Sequence, residues 1–164
     1  MQGKATFAGQ PVHPMLVTIP IGCFVAAVAA DIVSIWAGPG FFPEMATWLI
    51  AFGVIGALVA AVPGFVDLLT VPMSPSAKNL AGWHAMLNLA VIIVFGLAFA
   101  LRFGHYGSGL GYALTALGIV VVAVSGAIGN RLAHRHLAGS SEGDLATTRS
   151  TQRGVVEPDS RVAH

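Results

Sequence analysis

Two histidines are the groups in this chain with the most chemistry to offer. His13 lies in Pro11-Val12-His13-Pro14-Met15-Leu16, where a polar start gives way to a long apolar run. His84 opens a partial echo, His84-Ala85-Met86-Leu87, at the start of a later apolar run. A neutral imidazole is the commonest side-chain ligand for metals, and it also serves haem iron. Two imidazoles at one depth in a membrane, facing inward, could hold a metal or a b-type haem for electron transfer. Asp67, Asn88 and Asn130 fall at the same end of the chain's apolar segments. In that reading Asp67 fixes a ring tautomer and the asparagines support it. A competing reading needs no cofactor: Asp67 accepts from one histidine, the asparagines bridge helices, and the polar groups simply satisfy one another.

A second polar layer lies deeper along the same segments. Asp31 follows His13 by eighteen residues, and Arg102 follows His84 by the same interval. Either offset is about 27 Å of helix. Charge in hydrocarbon is costly, so a structural ion pair between Asp31 and Arg102 is expected. Glu44 and His105 belong to this outer layer. The carboxylates and histidines together also allow a small proton- or ion-conducting oligomer.

The elements that must position these groups are transmembrane helices. Hydrophobic residues make up 55% of the 164-residue chain, charged residues only 9%, and mean hydropathy is +0.79. A water-soluble domain carries about 25% charged residues, so lipid is the fitting solvent. Net charge is +1, and no basic patch with interleaved aromatics occurs, which sets nucleic acid aside. The single Cys23 cannot form an internal disulfide. Phosphate-loop, nucleophile-elbow, zinc-protease and haem-attachment motifs are all missing, so an enzyme working by covalent catalysis is not expected.

Apolar runs bounded by Gly/Pro turns predict four spans, near 14–37, 44–70, 80–103 and 109–132. The fold class is therefore an all-α integral membrane four-helix bundle. It has a polar segment at 1–13, a membrane domain at 14–136 and a tail at 137–164 whose composition predicts disorder. The first run is too long for a signal h-region and reads as a retained span. Pro20 and Pro63-Gly64 should bend their helices. The Val71–Asn79 stretch, with two prolines, should form a loop.

Four spans leave both termini on one side. Lys4, Lys78, Arg131 and Arg135 fall there, and Arg102 alone near the other. The positive-inside rule makes that side cytoplasmic, in a bacterial inner (plasma) membrane. Partners are the lipid bilayer and either a second copy or an electron-transfer protein. Small-residue stripes on span two, such as Gly53-Ala57-Ala61, suit a cofactor-free structural or accessory subunit. Finally, His13-Pro14-Met15-Leu16 matches His84-Ala85-Met86-Leu87, and Ala61-Val62-Pro63-Gly64 matches Ala123-Val124-Ser125-Gly126. Those matches fit a duplicated helical hairpin, with chance similarity in an apolar chain as the competitor.

The His13-Pro14-Met15-Leu16-Val17 opening with Pro20 and Asp31 resembles a bacterial domain-of-unknown-function family of small four-span membrane proteins (DUF2231-like). Pro63-Gly64-Phe65-Val66-Asp67 and His84 with Asn88 are similar to that family's later marks. The resemblance covers about residues 9–102. It implies the four-span fold and carries no established activity. Some relatives are similar to chains fused with Rieske-type or cytochrome-type modules, which would imply membrane electron transfer and haem as a candidate cofactor. The family often opens G-H-P-x-H-P, and Gln10 stands here in place of the first histidine.

Overall fold

The computed structural model describes the backbone of residues 6–7 and 10–155, and side chains from 12 to 133. Thr6–Phe7 (β1) pairs antiparallel with Gln10–Pro11 (β2), and four helices follow: α1 Val12–Ala37, α2 Phe41–Thr70, α3 Pro75–Arg102 and α4 Gly109–Val155. All four are long and apolar enough to cross a membrane, α4 over Gly109–Ala133. Only helices can close every backbone hydrogen bond within one apolar segment, and the composition leaves these segments no other form in lipid. The chain is a multi-pass membrane protein. The stretch expected to be a disordered tail, 137–164, lies beyond the last described side chain.

Local chemistry sets the boundaries. The α1–α2 turn uses Gly38 and Gly40, at φ 77° and 134°, a backbone region that other residues enter only under strain. The stretch read as a loop up to Asn79 is shorter than expected, because α3 already begins at Pro75. Pro75 sits in the first turn, where its missing N–H costs nothing, and the Ser74 hydroxyl caps the helix by accepting from Ala77 N at 3.3 Å. Pro20 and Pro63 both lie inside continuous helices.

Each helix packs most closely on its sequence neighbour within a hairpin, α1 on α2 and α3 on α4, with α2–α3 and α1–α4 closing the square. Thus α1 and α3 stand on one diagonal, and their side chains meet at the bundle axis. Phe24 and Phe95 stack there with ring centroids 3.8 Å apart and planes within 6°. Ala27, Ala30, Ala46, Ile50, Val91 and Ala98 complete the dry centre. Large apolar side chains face outward on every helix, as lipid permits.

The two hairpins are built on one plan. Buried residues of α1 and α3 correspond at a constant interval of 71 positions: Pro20 with Val91, Phe24 with Phe95, Ala27 with Ala98, Asp31 with Arg102. His13 and His84 obey the same interval. In α2 and α4 the interval is 65, pairing Ile50 with Thr115, Gly53 with Gly118, Ala60 with Ser125 and Gly64 with Gly129. Gly53 leaves room for the Phe24 ring just as Gly118 does for Phe95. This register replaces the sequence match of Gly64 with Gly126. A Cβ at Gly126 would meet nothing within 4 Å, whereas Gly129 lies against a histidine ring. Gly53 and Gly56 both face α1, while Ala61, in the same small stripe as Gly53, is exposed.

Candidate functional site

The histidine end is assembled from one group per helix. His13, at the start of α1, reaches α2, where its Nδ1 donates to the Ala60 carbonyl at 2.7 Å. His84, in the third turn of α3, reaches α4, where its Nδ1 donates to the Ser125 carbonyl at 3.0 Å. Both rings lie so close to the facing helix that only glycine fits one turn further on. A Cβ at Gly64 would fall 2.7 Å from His13 Nδ1, and one at Gly129 would fall 2.8 Å from His84 Cε1. Pro63 lacks the ladder N–H that would bond the Val59 carbonyl, one residue before Ala60. The two rings face each other across the bundle, with centroids 6.3 Å apart and planes at 86°.

A backbone carbonyl can only accept, so each Nδ1 carries the proton and each Nε2 the lone pair. The two Nε2 atoms then diverge. Asn88 Nδ2 donates to His84 Nε2 at 2.9 Å. The Ser125 hydroxyl donates to Asn88 Oδ1 at 3.1 Å and lies 3.2 Å from His84 Nδ1. His84, Asn88 and Ser125 thus form a closed ring of hydrogen bonds. No such bond to His13 Nε2 occurs among the described residues. Position 17, the counterpart of Asn88, is Val, and position 60, the counterpart of Ser125, is Ala.

Asn88 therefore takes part directly. Asp67 is half-buried on α2, less than one turn beyond Gly64, and Asn130 is exposed beside Gly129. The tautomer-fixing acceptors are the carbonyls of Ala60 and Ser125, where Asp67 was expected. Sequence reasoning missed Ala60 and Ser125 as acceptors, and the glycine notches at Gly64 and Gly129. A usable signal existed: Gly53 to Gly64 and Gly118 to Gly129 are equal intervals of eleven residues, as are His13 to Phe24 and His84 to Phe95.

At the opposite end Arg102 is fully buried and binds Asp31 with both terminal nitrogens, at 2.8 Å (Nη1 to Oδ2) and 2.5 Å (Nη2 to Oδ1). Nη1 also donates to the Thr115 hydroxyl at 3.0 Å, which in turn donates to Gly111 O at 2.9 Å. The guanidinium lies over the Tyr112 ring, 4.9 Å from its centroid, and Tyr112 Oη is 3.1 Å from Ser34 Oγ. A bidentate pair with added donors and acceptors is the arrangement that offsets the desolvation of two charges. Glu44 and His105 are exposed near this end. The dry centre around Phe24 and Phe95 separates the two polar layers.

Among the described residues no three His, Cys, Asp or Glu side chains are grouped to hold a metal ion. The ligand inventory at the histidine end is two imidazoles. His134 and His136 lie outside the described side chains.

A family model described as "Predicted membrane protein (DUF2231)" matches residues 9–142. No curated protein and no solved structure matches the chain.

Proposed function

The chain belongs to the DUF2231 family of predicted membrane proteins, and within that frame we propose that His13 and His84 form the binding centre for one b-type haem in a small membrane electron carrier. The observation that carries this reading is the facing pair of rings, 6.3 Å apart, each supplied by one of the diagonal helices. One metal atom fits between two imidazoles at that separation only with both Nε2 atoms turned toward it, given metal–nitrogen bonds of about 2.0–2.1 Å, and His84 would exchange its Asn88 bond for that contact. The donor set selects among metals. A bare ion asks for about four protein ligands, whereas haem brings its own four nitrogens and needs one or two axial imidazoles. Bound there, haem would supply one-electron transfer.

The protein's own contribution is orientation. Ala60 O and Ser125 O hold both Nδ1 protons, which directs the lone pairs to Nε2. Gly64 and Gly129 let the rings sit flush against α2 and α4. The apolar centre beneath closes the site on its inner side. We place the histidine end at the cytoplasmic face of an inner membrane, with both termini there. The support is the lysine and arginine bias, with Lys78 and Arg131 exposed near that end.

The test is optical. Protein purified in mild detergent from haem-replete cells should show a Soret band that is lost in His13→Ala. A colourless protein of native helix content overturns the haem reading. One observation favours a second reading, a cofactor-free accessory subunit: the closed hydrogen-bond ring already occupies both nitrogens of His84. In that case the colourless protein should retain its fold, and Asn88→Leu should lower its stability.

A further inference from the structure

We propose that the outward face of the start of α2 is a binding site for one phospholipid with a primary ammonium headgroup, separate from the histidine end and independent of the haem reading. Phe41, Glu44, Met45, Trp48, Leu49 and Phe52 line an open groove of about 480 Å³ there. These positions recur at three- and four-residue spacing, so they form one stripe of the helix. Glu44 is the only charged residue among them. It is exposed, and its side chain makes no hydrogen bond or ion pair among the described residues. From Glu44 to Phe52 the helix rises about 12 Å. Half of a hydrocarbon core is about 15 Å. The groove therefore carries its charge at the end of the span and runs apolar through most of one leaflet, which is the zoning of a single lipid molecule.

Two features set this groove apart from ordinary lipid-facing surface. Its walls are braced: Trp48 packs edge-on to Phe103 with centroids 6.2 Å apart and planes at 82°, and lies 6.5 Å from Phe99, while Phe41 meets Phe42 at 5.4 Å. The other hairpin also lacks it. At the α2–α4 interval of 65, Gly109, Ala113 and Leu117 stand where α2 has Glu44, Trp48 and Phe52. The packing plan shared by the hairpins thus has no need of a carboxylate flanked by aromatic rings. A carboxylate in a first turn suits the positive end of its helix, but that does not call for rings on either side. Charge selects the headgroup. A primary ammonium can donate to Glu44 and lie against Phe41 and Trp48, which combines ion pairing with cation–π attraction. No lysine or arginine lines the groove to receive a net-anionic headgroup.

Native mass spectrometry of the full-length protein in mild detergent tests this, with phosphatidylethanolamine, phosphatidylcholine and phosphatidylglycerol of matched acyl chains as probes. One phosphatidylethanolamine should stay bound after the other two are stripped, since phosphatidylcholine has the positive charge but no N–H to donate. Glu44→Gln and Trp48→Leu should each weaken that retention about tenfold. Trp83→Leu, the same exchange at an exposed tryptophan of the opposite end, should leave it unchanged. Glu44→Gln keeps the size and shape of an exposed side chain, so it decides even if Trp48→Leu folds poorly. Equal retention of all three lipids, or retention indifferent to Glu44→Gln, overturns the proposal. So does a dimer that dissociates in Trp48→Leu, which would assign the stripe to a second copy of the chain.

Discussion

The α1–α2 and α3–α4 hairpins share their packing and differ in their chemistry. At corresponding positions the buried framework is alike: a phenylalanine over a glycine, an alanine one turn on, a histidine over a second glycine. The departures are polar. Asp31 answers Arg102, Val17 answers Asn88, Ala60 answers Ser125, and Ile50 answers Thr115. Two identical hairpins would bring Asp to face Asp or Arg to face Arg at the bundle axis, which no membrane interior tolerates. Joining the halves in one chain lets the two sides of the axis become complementary. Shape is thus held in common, and charge and hydrogen bonding are divided between the halves.

Substitutions can break that division at graded cost. The largest effect is expected at the ion pair. Arg102→Leu or Asp31→Leu leaves one buried charge without its partner and should lower unfolding stability in detergent by about 3–5 kcal/mol. The double leucine variant should lose far less, and a double variant as damaging as either single one would deny the coupling. Next come the notches. Gly64→Ala and Gly129→Ala should each cost about 1–3 kcal/mol by pushing a histidine ring off its carbonyl. If the halves are packed alike, the two penalties should agree in thermal melts. A large disparity would show that the shared plan does not extend to the rings. A smaller effect belongs to the cap: Asn88→Leu should cost about 1 kcal/mol through its lost hydrogen bonds. Smallest of all, Val17→Ala removes a half-buried side chain with no polar role and should cost under about 1 kcal/mol, leaving any optical spectrum unchanged.

Much of this design can be read from residue order. Four apolar runs punctuated by glycine and proline predict the spans, and their ends differ from the helices by only a few residues at most boundaries. Helical rise alone puts His13 level with His84, and Asp31 level with Arg102, and the structure brings each of these pairs together. The partners of the rings were not legible, because a backbone carbonyl belongs to every residue and leaves no mark in a sequence. Ala60 looks like any other small residue on α2, and its role emerges only when α1 lies against it. Ser125 and Gly129 were obscured by a different cause. In a helix rich in Ala, Val and Gly, a four-residue similarity slipped by three residues still looks convincing. The equal intervals between glycines carried the true alignment, since packing under a large ring fixes a glycine more firmly than any neighbour does. The α3 start shows the same limit on a small scale: Pro75 reads as a helix breaker or as a first-turn residue, and the Ser74 hydroxyl decides between them.

The stacked rings of Phe24 and Phe95 have a consequence for the two polar layers. They close the bundle midway like the floor of a cup, with the histidines in the bowl and the ion pair sealed below. The histidine end and the ion-pair end are thus separated by apolar packing and belong to opposite ends of the bundle.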